Sequence, residues 1–310
     1  MIEALKQLEL TVSNPNLSSE KAGSLQDLLC GLVQVVLIRI GDLVMAPLAE
    51  NIIQVIISIF KQAQKVTESG LIAFQGLVVG AGDKIKINEI GNYIKYALES
   101  KENECTKLAC GIISDLSGSM GENISEYLDD FVPCLHNILG DQQLERTIKL
   151  PALRALADLC MYCGEKFNNK FLEKTLQILS LAARTSTQSA GSVQADDTDT
   201  IKFLKDLREE IIDQYITILV SAQESNYKGA FEQYVMGIFD FLEETVKIQG
   251  FTDLNFLRMV ISLIGDLATA YPDKEGMKAR ATQGWVEQAI LSLQQSNDHT
   301  NKEYANYSLQ

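Results

Sequence analysis

Three times in the middle of the chain a glycine, an acid, a polar residue and an apolar residue open a new apolar-periodic run. These are Gly82-Asp83-Lys84-Ile85, Gly121-Glu122-Asn123-Ile124 and Gly164-Glu165-Lys166-Phe167, spaced 39 and 43 residues apart. A second apolar run precedes the later glycines, at 108–116 and 153–159. The unit is therefore helix, short turn, helix, about 40 residues long, which is the period of HEAT and armadillo arrays. Such a unit cannot bury its apolar face alone and must stack on its neighbours. The glycine is expected to end the first helix at positive φ, where it has no Cβ penalty. The acid after it then faces the positive end of the next helix dipole. In 165–182, Phe167, Phe171, Leu172, Leu176, Ile178 and Leu179 form one face, with Glu165, Asn169, Glu173, Lys174 and Gln177 on the other. That is a 3.6-residue period with one wet side.

With 46% hydrophobic residues, the 310-residue chain has ample apolar material for a core. Its net charge of −14 repels nucleic-acid phosphates and anionic lipid and favours a basic protein segment, besides keeping an extended array soluble. No nucleic acid and no membrane are expected as partners. The apolar run 32–40 is interrupted by Gln34 and Arg39 and is too short to span a bilayer. Six cysteines lie inside apolar helical runs with no signal peptide before them, which fits buried thiols in a reducing compartment. β-Branched residues fall at helical rather than alternating spacing, so the fold class expected is all-α.

In chain order, 1–10 reads as the end of a helix whose partner lies upstream, and 11–22, with Pro15, as a loop. Ser24 is expected to cap a helix over 25–40, followed by one over 46–65 with Pro47 in its first turn. Further pairs are expected at 68–80 with the run after Gly82, 102–116 with 122–139, and 142–163 with 165–183. Pro133 predicts a kink or break near Phe131. The segment 185–198 has almost no apolar content and reads as a mobile loop. Pairs at 199–223 with 227–248 and 254–271 with 283–294 follow, and 297–310 closes the chain as a short polar helix. The tetrads Ile113-Ser114-Asp115-Leu116, Leu156-Ala157-Asp158-Leu159 and Ile264-Gly265-Asp266-Leu267 align near first-helix ends, with Ile40-Gly41-Asp42-Leu43 close to them. Their aspartate is expected to bond donors of the following helix or turn.

No catalytic, cofactor or metal set is legible. Cys160 and Cys163 form a single CxxC with no second pair, and His136 and His299 have no spaced partner, so a zinc site lacks ligands. No phosphate-loop, nucleophile-elbow or HExxH motif occurs. The chain is expected not to be an enzyme.

The ordered series 25–36 (LQDLLCGLVQVV), 111–133 (GIISDLSGSMGENISEYLDDFVP), 155–177 (ALADLCMYCGEKFNNKFLEKTLQ), 240–247 (DFLEETVK) and 262–273 (SLIGDLATAYPD) resembles the C-terminal part of importin-β (karyopherin-β) nuclear transport receptors. The resemblance implies a right-handed α-solenoid of about six HEAT repeats over 1–310, roughly the last third of a longer receptor. It implies nuclear import, with residence in cytoplasm, nucleus and the nuclear pore. Second helices would line a concave face that holds the basic importin-β-binding helix of importin-α, or basic nuclear-localisation cargo. First helices would offer shallow apolar pockets to Phe-Gly nucleoporins. Ran would bind only through N-terminal repeats that this chain lacks. The candidate contact residues are the wet faces of the second helices: Glu122, Glu126, Asp129, Asp130, Glu165, Asn169, Glu173, Glu243 and Glu287. Repeated carboxylates can meet Arg and Lys of a helix laid along the groove. Tyr307 stands where the family has a tryptophan that stacks on the cationic helix, and offers a weaker cation–π face. Trp285 is expected to pack in the last repeat. The alternative is a HEAT scaffold for another assembly, such as a phosphatase scaffold, with no transport role. A third reading, a thiol enzyme at Cys160/Cys163, requires an exposed thiol.

Overall fold

The computed structural model describes residues 2–14, 18–141, 143–189 and 197–307, apart from the side chains of Ser19, Asp42 and Tyr307. Among the described residues the regular structure is helical throughout, with no strand. The chain divides into two compact units, Met1–Cys163 and Gly164–Gln310.

The first unit holds α1 (Ile2–Ser13), α2 (Ser19–Ile40), α3 (Ala46–Ala63), α4 (Glu68–Ala81), α5 (Asn88–Glu99), α6 (Asn103–Met120), α7 (Leu128–Gly140) and α8 (Lys149–Cys163). First helices stack in a row, α2 on α4, α4 on α6 and α6 on α8. Second helices form another row, with α1 against α3 and α5 against α7. The tightest stacking is between α2 and α4. A Cβ on Gly41 would lie 1.9 Å from the Gly80 carbonyl oxygen, and one on Gly80 would lie 2.3 Å from that of Leu37. Two helix backbones touch there with no room for a side chain. Positive φ is confirmed at Gly121 (55°) and Gly164 (46°), but Gly82 is right-handed at −59°. Gly82 is instead needed for space, since its Cβ would sit 2.3 Å from the Ser119 side chain.

The second unit holds α9 (Glu165–Gln188), α10 (Thr198–Glu224), α11 (Lys228–Glu232), α12 (Val235–Gln249), α13 (Leu254–Ala270), α14 (Met277–Ala281), α15 (Gly284–Gln294) and α16 (His299–Tyr307). α10 packs on α9 and α13, α12 on α9 and α13, and α15 and α16 on α13 and each other. Tyr215, Phe231, Phe239 and Phe256 are fully buried anchors of this core. Trp285 is half-buried, and its indole N–H donates to Gln283 at 2.8 Å.

Five local expectations are corrected. Of the loop read at 11–22, residues 11–13 and 19–22 are helical, because α1 runs to Ser13 and α2 begins at Ser19, and 15–17 lie outside the described residues. Ser24 lies inside that helix, where its hydroxyl donates to the Glu20 carbonyl. Burial of Ala22 and Gln26 drives this, and the Gln26 amide donates to Thr11 (3.1 Å) and Gln62 (2.8 Å). The earlier start makes 20–40 long and apolar enough to cross a membrane, with mean hydropathy 1.5. Its buried Gln26 bonds and its backbone contact with α4 nevertheless tie it into the helix row. The break in 122–139 falls before Leu128 rather than near Phe131, because 121–127 is wound as a 3-10 helix. Pro133 sits within α7. The helix read at 227–248 is two pieces, α11 and α12. α9 runs on to Gln188, four residues into the segment read as a loop. Ser186 is buried and its carbonyl accepts from Arg208 at 3.0 Å. Asp197 caps α10 by accepting from the Thr200 amide, and 190–196 lies outside the described residues.

The tetrad aspartate also works differently. Asp115 accepts from the Gln75 amide of α4 at 3.2 Å, so it bonds the preceding first helix and not the following turn. Half-burial pushes its carboxyl above the usual aspartate range, and burial does the same to Asp266.

Gly41→Ala and Gly80→Ala should each cost about 2 kcal/mol by overpacking. Gly31→Ala, with nothing within 4 Å of its Cβ, should gain about 0.5–1 kcal/mol from helix propensity. Denaturant melts of the three variants check the contrast. Asp253 caps α13 through the Phe256 amide (3.2 Å) and accepts from Lys205 of α10 at 2.7 Å, and the Lys205 bond, then the backbone N–H groups, hold its pKa below the usual value. Its stabilisation is thus present above the unfolded aspartate pKa and is lost as pH falls through the lowered folded value. Asp253→Ala should cost about 1 kcal/mol near neutrality. The gap to wild type should close on acidification below the usual aspartate range, as read by melts across pH.

Candidate functional site on the second helices

In the first unit the exposed side of α5 and α7 carries the candidate surface. α5 exposes Glu89, Asn92, Tyr96 and Glu99, spaced at one helical turn, and α7 exposes Asp129, Asp130 and Asn137. Glu122 and Glu126 are exposed on the 3-10 turn leading into α7. Lysines from the neighbouring second helix answer part of this charge. Lys61 of α3 bonds Glu89 at 2.9 Å, and Lys95 of α5 bonds Asp130 at 2.9 Å. Both lysine pKa values are raised, chiefly by these hydrogen bonds. Such solvent-exposed pairs bring little stability and open easily to a competing cation.

Beside the carboxylates lies an aromatic group. The Tyr93 ring stands 5.2 Å from that of Phe60 and 6.2 Å, edge-on, from Tyr96, which is 58% exposed. Phe60, Lys61, Lys65, Tyr93 and Tyr96 line a cleft of about 500 Å³ between the ends of α3 and α5. An exposed tyrosine face beside carboxylates suits guanidinium and ammonium groups, which gain both cation–π and Coulomb attraction. The sequence reading missed Tyr96. The signal was the 3-4-3 spacing of Glu89, Asn92, Tyr96 and Glu99.

In the second unit the picture is mixed. Glu165, Asn169 and Glu173 are exposed along α9, but Lys166, Lys170 and Lys174 share that wet side. On α12, Glu243 is only half-exposed and is engaged by Lys247 (3.0 Å) and Arg280 (3.5 Å). The acids that α12 presents to solvent are Asp240, which also bonds Arg280, and Glu244, which bonds Lys247 at 2.8 Å. Asp240 and Glu244 join Arg184, Thr187 and the fully buried Tyr215 around a cavity of about 330 Å³. Glu287 is exposed on α15. Tyr307 ends α16, and its side chain lies outside the described residues. Tyr304, one turn earlier, takes the Arg258 guanidinium 5.7 Å above its ring, so a cation already occupies that aromatic face. The candidate residues thus fall in both units, and in the second they are spread over α9, α12, α15 and α16.

The thiol reading fails at its own residues, because Cys160 and Cys163 are buried (0% and 4% exposed), as are the other four cysteines. Burial pushes Cys30 and Cys110 up to about 12, away from the thiolate. Among the described residues no three His, Cys, Asp or Glu side chains are placed to hold a metal ion.

Helix pairs stacked in two rows in the first unit, with carboxylates and aromatics exposed on the second helices, are the mark of an α-solenoid of the HEAT type. Known proteins then place the chain within that class. The family model described as importin subunit beta-1-like, TPR repeats, matches residues 1–294, so the chain belongs to the importin subunit beta-1-like family. Importin subunit beta-1 of Arabidopsis thaliana is 25% identical over 98% of this chain, and that of Schizosaccharomyces pombe 23% over 88%. The chain spans about a third of the length of these relatives. Among solved structures, importin beta from an ammonium sulfate condition superposes with a TM-score of 0.83 at 24% identity, covering 99% of this chain and 36% of its own. A Kap95:Nup1 complex superposes at 0.78 and 20% identity, over 99% of this chain and 36% of its own.

Proposed function

We propose that this chain is a binding segment of a nuclear import receptor. Its second-helix face holds a basic helix, of importin-α or of basic cargo. Its first-helix side takes Phe-Gly peptides. The observation that carries the first part is the exposed grouping of Tyr96, Glu99, Glu126, Asp129 and Asp130 on α5, α7 and the 3-10 turn before α7, where Lys95 of the same row meets Asp130. The second part is supported by exposed apolar side chains on first helices, among them Val79 of α4 and Met161 and Tyr162 of α8. A Cβ on Gly118 of α6 would stand 3.7 Å from the Tyr162 hydroxyl, so a small residue opens space beside an aromatic. The Kap95:Nup1 neighbour is a complex of a chain of this fold with Nup1. Such a segment would act in cytoplasm and nucleus and at the pore.

Calorimetry with a basic importin-α-type helical peptide tests the reading. Binding should weaken about tenfold between low and physiological salt, because the contacts are solvent-exposed charges. Glu126→Gln, Asp129→Asn and Glu173→Gln should each weaken it about two- to fivefold. Absence of binding at low salt, or binding indifferent to salt, would favour a HEAT scaffold with another partner.

A further inference from the structure

The cavity of about 330 Å³ between α9, α10 and α12 is lined by hydrogen-bond donors that the chain itself leaves unused. Tyr215 of α10 is only 2% exposed, and its ring is held by Phe231 and Phe241 at centroid distances of 6.3 and 6.4 Å. Buried tyrosine hydroxyls usually find a partner, yet this one meets none among the described residues. Burial pushes the phenol above the usual tyrosine range, so it stays an O–H donor. Ser180 and Arg184 lie one turn apart on one side of α9 and line the same cavity. Among the described residues the Ser180 hydroxyl makes no hydrogen bond and the Arg184 guanidinium no ion pair. The acids of the cavity wall are already engaged, Asp240 by Arg280 and Glu244 by Lys247 at 2.8 Å. Gly237 adds a separate sign. It sits inside α12 at the cavity, with nothing within 4 Å of where a Cβ would stand and no positive φ. Neither packing nor backbone conformation calls for a residue that weakens a helix there, and its effect is to leave the cavity open.

We propose that this cavity binds a carboxylate carried by a polypeptide, as an aspartate or glutamate side chain or a chain end presents it. A planar guanidinium matches a carboxylate in a two-pronged pair. The Tyr215 and Ser180 hydroxyls can then donate to its remaining lone pairs, while Ala183 and Phe241 offer apolar wall to the stem that carries it. A neutral amide fits worse, because its N–H groups would face donors. A phosphate dianion fits worse as well, because one arginine would meet two charges beside Asp240 and Glu244. The site selects the charge opposite to that of the basic helix in the transport reading and stands apart from it.

NMR titration of the 310-residue chain, read at the backbone amides of Ala183, Thr187 and Phe241, tests the proposal. The probes are N-acetyl-glutamate N-methylamide for a side-chain carboxylate, N-acetyl-alanine for a chain end, N-acetyl-glutamine N-methylamide as the neutral match and inorganic phosphate. At least one carboxylate probe should shift these amides saturably, the tighter of the two identifying the source, with no saturable shift from the glutamine probe. Arg184→Gln should weaken binding about tenfold or more and Tyr215→Phe about three- to tenfold. Gly237→Leu fills the opening without touching either donor and should weaken it about tenfold. Tyr215→Phe removes a hydroxyl that has no partner, and Gly237→Leu places a side chain in open space, so thermal melts should show both at least as stable as wild type. Absence of a saturable shift with either carboxylate overturns the proposal. Equal or tighter binding of the glutamine probe or of phosphate does so too. Binding that falls in Arg184→Gln but is untouched in Tyr215→Phe and Gly237→Leu would be ion pairing at the surface and overturns it as well.

Discussion

Everything in the first unit depends on two helix backbones being able to touch. At Gly41 and Gly80 the space for a side chain is absent on both sides, so α2 and α4 approach as closely as helices can. That approach lets Phe74 and Leu77 of α4 and Leu37 of α2 become fully buried. It also fixes the register in which the next first helix is presented. Stacking then propagates, with Gly82 receiving Ser119 and Asp115 receiving Gln75 one repeat later. In an array of this kind each repeat is stabilised by its neighbours, so a tight contact at one interface sets the frame for those after it.

Second helices follow from that frame with a different chemistry. Lys61 to Glu89 and Lys95 to Asp130 tie successive second helices by exposed ion pairs, while the apolar sides of α5 and α7 face inward. The bonds are exposed enough to be exchanged for a partner's cations and leave Glu126, Glu99 and Tyr96 on the same wet side. A basic helix would thus extend a charge ladder already present. In the second unit, Lys166, Lys170 and Lys174 on α9 and Arg280 against α12 dilute the acidity, so the first unit should dominate recognition of basic segments.

The helix pairs, their period and their turn glycines were legible in the sequence because apolar spacing and glycine placement act locally. What was illegible depended on contacts between repeats. Gly82 reads like Gly121, yet one is needed for space and the other for positive φ. Ser24 has the composition of a cap, but burial of Gln26 against Thr11 and Gln62 starts the helix earlier. Asp115 was recognised as a repeated device, while its partner, forty residues earlier in chain, was hidden. Among site residues, the wet side was readable at Glu126, Asp129 and Glu173, but not at Glu243, and engagement was not readable. Glu243 and Glu244 are adjacent in sequence, yet the first is half-buried against Arg280 and the second stands in solvent.

The central claim is that the second-helix face receives a basic helix. Photo-crosslinking with a basic helical peptide carrying benzophenone at successive positions, mapped by mass spectrometry, tests it most directly. The account predicts adducts on α5 and α7 around Tyr96, Glu126 and Asp129, suppressed by salt. Adducts confined to first helices, around Val79 or Tyr162, would contradict it.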